Sequence, residues 1–147
     1  NVNVKNKVGS TPLLYAARYQ SADVCKILIN TGAKVNTKSR SYYDNTPLHF
    51  AARYQGRDVC EVFIEAGIDV NAKNNYDDTP LHYATHYQDV DVCKVLIDAG
   101  SNVNAKSKDD DTPFDFAARY QDADVCEFLV EAGAYVKYKV NTDDTPT

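Results

Sequence analysis

TPLHFAARYQ, residues 46–55, opens on a threonine–proline pair and runs through two alanines to a polar close. Threonine before proline is a helix-start signal. The hydroxyl accepts from an otherwise unbonded N–H, and proline at the first helical position has no N–H to leave unbonded. The matching stretch after Thr79, PLHYATHY at 80–87, is long enough for about two turns of helix. Its alanine counterparts, such as Ala51 and Ala52, let helices approach closely. The same opening returns at Thr11-Pro12, Thr112-Pro113 and Thr145-Pro146, so that successive intervals are 35, 33, 33 and 33 residues.

Outward from that pair, everything else keeps the same period. RYQ recurs at 18–20, 53–55 and 119–121, with HYQ at 86–88. Ser21, Gly56, Asp89 and Asp122 follow, each a favourable residue at a helix N-cap. A second helix is expected after each, as in DVCKVLIDA at 91–99, whose apolar positions can share one buried face. Gly32, Gly67, Gly100 and Gly133 stand where that helix ends and the chain turns left-handed. The polar, turn-rich stretch that comes next reads as a projecting hairpin. A period in this range means stacked units, none of which buries its apolar face alone.

TPLHFAA at 46–52, TPLHYAT at 79–85 and EAGIDVNAK at 65–73 resemble the ankyrin repeat, and the resemblance covers essentially the whole chain. It implies an all-α ankyrin-repeat solenoid of helix-turn-helix units with projecting β-hairpin finger loops. Residues 1–147 would form a single domain, with repeats at 6–38, 41–73, 74–106 and 107–139 and partial repeats at 1–5 and 140–147. It also implies a concave surface of finger tips and inner helices that binds other proteins. Several positions depart from the family pattern. Gln20, Gln55, Gln88 and Gln121 stand at the inner-helix exit where ankyrin repeats favour glycine, so a left-handed residue is expected there or beside it. Asp44, Asp77, Asp110 and Asp143 occupy the finger position where only Gly9 keeps the usual residue. The second finger, KSRSYYDN at 38–45, is longer by two residues. Leu14 replaces the motif histidine, the last TP motif reads TPFD at 112–115, and Lys137 replaces the motif asparagine.

Composition limits the alternatives. A net charge of −5 argues against nucleic acid and anionic lipid, both of which ask for a basic footprint. No apolar run has membrane-spanning length, so no membrane insertion is expected. The chain opens NVNVKNK, without methionine or a signal sequence, and reads as part of something longer. Cys25, Cys60, Cys93 and Cys126 fall one per repeat, without the close pairs that zinc sites use. Stacked repeats lie about one helix diameter apart, roughly 10 Å, beyond the reach of a disulfide. All four thiols are therefore expected to be reduced and mostly buried, which favours an intracellular, cytoplasmic home.

Residues that could carry chemistry are few. His82 and His86 have the i, i+4 spacing of a zinc-protease helix, but Tyr83 stands where the catalytic acid belongs. By resemblance, His49 and His82 belong to the TPLH motif and bond local backbone or neighbouring turns. Asp109-Asp110-Asp111 lacks the spacing, glycine and closing glutamate of a calcium loop. No nucleophile elbow, phosphate loop or dinucleotide fingerprint occurs. Neither an enzyme activity nor a metal or cofactor is expected.

The expected role is a monomeric module for a protein or peptide partner. Its candidate contacts are the inner-helix ends, Arg18, Tyr19, Arg53, Tyr54, His86, Tyr87, Arg119 and Tyr120, and the fingers, Arg40, Tyr42, Tyr43, Tyr76 and Asp109. Arginine and tyrosine are enriched at interface hot spots. In this reading Tyr54 and Tyr87 serve binding and leave the fold unaffected. Two other readings stay open. The ladder could only stack on itself in a structural spacer, or the chain could be the targeting part of a multidomain enzyme.

Overall fold

Each threonine–proline pair within residues 1–120 and 122–136, the part the computed structural model describes, starts a helix. The helices come in pairs. α1 (Pro12–Tyr19) and α2 (Ala22–Asn30) form the first, α3 (Pro47–Tyr54) and α4 (Arg57–Glu65) the second. α5 (Pro80–Tyr87) and α6 (Val90–Asp98) form the third, α7 (Pro113–Arg119) and α8 (Ala123–Glu131) the fourth. Thr11, Thr46 and Thr112 hydroxyls accept from the N–H groups of Leu14, His49 and Asp115 at 3.3, 3.4 and 3.2 Å. In α3 and α5 a histidine completes the cap from the other side, as Thr46 N–H donates to His49 Nδ1 at 3.1 Å and Thr79 N–H to His82 Nδ1 at 3.0 Å. The Asp115 carboxylate takes over that task in α7, accepting from Thr112 N–H at 2.9 Å. TPFD is thus a capping box with a different acceptor. Ser21, Asp89 and Asp122 cap the outer helices through their side chains. Each outer helix is followed by a left-handed glycine, as at Gly32 with φ 107°.

The inner helices α1, α3, α5 and α7 pack in one row, and α2, α4, α6 and α8 in another behind it. The core lies between the rows. Leu13, Leu48 and Leu81 meet Cys25, Cys60, Cys93, Phe63, Leu96 and Leu129 there. A fully buried leucine contributes about 1.5–3 kcal/mol. In α3 and α5 six of eight residues are buried, against one of nine in α2, because middle inner helices are covered on both sides.

The fingers are turns, and among the described residues the hairpin expectation reduces to an isolated bridge between Ser39 and Asn45. Asp44, Asp77 and Asp110 are left-handed, with φ 60°, 59° and 66°, as Gly9 is at 78°. The longer second finger turns through a 3₁₀ segment, Arg40–Tyr42, and adds a further left-handed residue, Tyr43 at φ 63°. Successive tips are joined by backbone, with Asn75 N–H on Tyr43 O at 2.8 Å and Lys108 N–H on Tyr76 O at 2.9 Å.

One expectation is corrected at the inner-helix exits. Gln20, Gln55 and Gln88 are not left-handed; their φ values are −117°, −116° and −127° with extended ψ. No left-handed residue stands beside them, so no strain calls for glycine. The side chain explains the residue type. Gln55 Nε2 donates to Arg18 O at 2.7 Å and Gln88 Nε2 to Arg53 O at 3.0 Å, so each glutamine caps the inner helix of the preceding pair. Gln121, Asp143 and Lys137 lie outside the described residues. The cysteines are free and mostly buried, as expected, with Cys25, Cys60 and Cys93 fully enclosed. Cys126 is half-buried.

Candidate binding face

The ends of the inner helices bring most of the candidate residues into one line. The Arg18 guanidinium carbon lies 4.9 Å from the Tyr19 ring, 5.0 Å from Tyr42 and 4.7 Å from Tyr54. One step along, Arg53 lies 4.9 Å from Tyr54 and 4.5 Å from Tyr87, with Tyr83 behind it at 5.9 Å. His86 continues the line between Tyr87 at 3.9 Å and Tyr120 at 3.6 Å, the latter nearly parallel at 5°. Each cation or imidazole is therefore held between the ring of its own pair and that of the next. Such contacts are worth about 0.5–1 kcal/mol when exposed and more when desolvated.

Arg119 breaks the pattern. Its Nη2 donates to Asp111 Oδ2 at 2.9 Å, and its guanidinium lies over Phe116 at 5.5 Å. At the fingers, Tyr43 and Tyr76 meet at 5.2 Å between ring centres, and Tyr42 packs edge-on against Phe50 at 5.9 Å. Arg40 and Asp109 are exposed on the second and fourth fingers and make none of these ring contacts.

His49 and His82 belong to the scaffold. His49 Nε2 donates to Asp78 O at 2.8 Å and His82 Nε2 to Asp111 O at 2.9 Å, tying each inner helix to the next finger. With Nδ1 accepting and Nε2 donating, both rings are neutral. Burial pushes the His49 pKa down to about 4 and lowers that of His82 as well. His86 is lowered by burial and by neighbouring Arg53. Burial raises Cys60 and Cys93 to about 12 and Cys25 to about 11, so these sulfurs are unreactive thiols.

Sequence reasoning missed the glutamines, which hold the ladder from beneath by fixing the carbonyls of Arg18 and Arg53. It also gave the periodic asparagines no role. Asn71 Nδ2 donates to Gly100 O at 3.0 Å and its Oδ1 accepts from Asn102 N–H at 2.7 Å, and Asn104 repeats the arrangement with Gly133 and Tyr135. Recurrence at one period was the available signal for both.

A family model for ankyrin repeats, three copies, matches residues 1–74 and again residues 72–141. The chain belongs to the ankyrin repeat family. None of the curated proteins compared with the chain matches it. Ankyrin repeats are in general non-catalytic modules of protein–protein interaction. Among the described residues, no helix of this ankyrin chain is long and apolar enough to cross a membrane.

Proposed function

We propose that this ankyrin domain, spanning residues 1–147, binds a protein or peptide partner on its concave face, through the finger loops and inner-helix ends, and has no catalytic activity of its own. One observation carries the reading. Tyr19, Tyr54, Tyr87 and Tyr120 are 41–55% exposed although they are ordered by stacking along a single line. Rigid, amphipathic rings offer contact area at low ordering cost. Reduced, buried thiols support an intracellular home, the acidic net charge opposes nucleic acid, and the module acts as a monomer.

A structural spacer is the second reading. It is favoured by the guanidinium–ring contacts, which satisfy the ladder within the molecule. The finger pair Tyr43 and Tyr76 separates the two, because these rings meet each other outside the core. Tyr43→Ala with Tyr76→Ala should abolish co-purification of the partner, with the circular dichroism spectrum unchanged, while Ile27→Ala on the outer helix α2 should retain it. Loss with the α2 variant alone would move the binding surface to the outer helices. Identical capture by all three proteins would put the partner on another surface, and a parent chain that retains no partner would leave the spacer reading ahead.

A further inference from the structure

The four side chains that occupy the ladder's cationic position do not share one environment. Arg119 is neutralised internally by Asp111. His86 is an imidazole stacked between two rings, with a pKa below its usual value. Arg18 and Arg53 remain. Each has its Nε closed off from solvent without an acceptor, and no carboxylate lies within ion-pair distance of either among the described residues. Acids were available, since the chain has 21 of them against 16 lysines and arginines. The rings order both guanidinium planes in advance and leave the terminal amino groups as the free ends of the fork.

Beside Arg18 lies a cleft of about 160 Å³ whose apolar wall is Val8, Leu14 and Phe50 with the rings of Tyr15 and Tyr42. Its rim carries Asn6 and Ser10, and among the described residues Arg18 is its one charged wall. An apolar cavity of about 150 Å³ holds one benzene ring, so the cleft suits one aromatic or large aliphatic side chain. Charge grades along the fingers in the same sense. The first carries Lys5 and Lys7 and no acid and the second Lys38 and Arg40 with Asp44, whereas the third carries Lys73 with Asp77 and Asp78 and the fourth Lys106 and Lys108 with Asp109, Asp110 and Asp111. The cleft and both unpaired arginines lie at the basic end.

We infer that the first two helix pairs bind an extended acidic segment of a partner protein. Its apolar side chain fills the cleft, and its carboxylates take the open amino groups of Arg18 and Arg53. Packed helices lie about 8–10 Å apart, and an extended chain advances about 3.3 Å per residue. In the polyproline-II form, with about three residues per turn and about 3.1 Å per residue, acids three residues apart share one face and meet one arginine each. This rests on the concave-face reading above and adds the chemistry of the partner.

A random-peptide display library selected on the immobilised full chain, followed by fluorescence anisotropy of the winning peptide, tests it. The winners should pair Phe, Tyr or Leu with Asp or Glu, and their affinity should fall as salt rises. Arg18→Gln and Arg53→Gln should each weaken binding about tenfold or more, and Arg119→Gln, already engaged internally, should change it less than about twofold. Basic or charge-free winners, no winners at all, or binding indifferent to both arginine variants in folded protein would overturn the inference. Peptide composition and salt dependence are read on the unmodified chain, so they decide the matter even where a variant is unstable. Non-acidic winners that Tyr43→Ala with Tyr76→Ala releases would sink only the acidic partner. Winners released by no variant on this face would sink the concave-face reading as well.

Discussion

At the exit of α3, Gln55 is extended and its amide reaches the Arg18 carbonyl of the preceding pair. Glycine there would add freedom to the unfolded chain and remove that bond. Gln55→Gly should therefore lose about 1–2 kcal/mol in urea denaturation. Asp77 stands in the opposite situation, because its backbone is left-handed at φ 59°. Asp77→Gly should gain about 0.5–1 kcal/mol. A stabilised Gln55→Gly would show that the exit is strained after all. The sequence placed both residues at their turns. It could not reveal which one was strained, because Gln55 takes its conformation from a carbonyl 37 residues away.

At the scale of the helix, the ladder belongs to the architecture as well as to the face. Tyr54 lies against both Arg18 and Arg53, and Tyr87 against Arg53 and His86. Removing both rings therefore severs the contacts that join three consecutive inner helices. Tyr54→Ala with Tyr87→Ala should lower stability by about 1–2 kcal/mol, where the sequence alone led to an unchanged midpoint. The corresponding pair of phenylalanine variants keeps the rings and should leave the midpoint in place. An unchanged midpoint in the alanine pair would return these tyrosines wholly to the binding face. Spacing was enough to show that the ladder exists. The overlap of each guanidinium with the next pair's ring depends on how the helices stack.

Across the whole molecule, the links between pairs respond to pH in two senses. His49 has a folded pKa of about 4, below its usual 6.5, because burial disfavours its charged form. Its contribution is complete above pH 6.5 and is lost as pH falls towards 4; His82 acts in the same direction. Asp78 opposes them, since burial and then Asp109, Asp111 and Asp77 raise it from 3.8 to about 6. Its contribution is greatest below pH 3.8 and is lost as pH rises through 6. One of its oxygens is buried without a partner. Asp78→Asn should thus be more stable than the parent at pH 7, with the advantage shrinking towards pH 4. Urea midpoints at the two values check this. A lower midpoint at pH 7 would mean that the ionised carboxylate is held by a favourable partner.

Period, helix starts and outer-helix glycines were determined by the sequence alone, because each answers a demand met within a few residues. A threonine caps an N–H three positions on, and a glycine relieves its own φ. Only the tertiary structure decided what RYQ means in each copy. Arg18 and Arg53 find the tyrosine of the following pair, while Arg119, spelled identically, has no such described ring and turns back to Asp111. Near-identical local sequence gives similar helices, although α7 ends one residue earlier than α1 and α3. The fate of an arginine at a helix end depends on what the stack places beside it, and that neighbour comes from some 35 residues away along the chain.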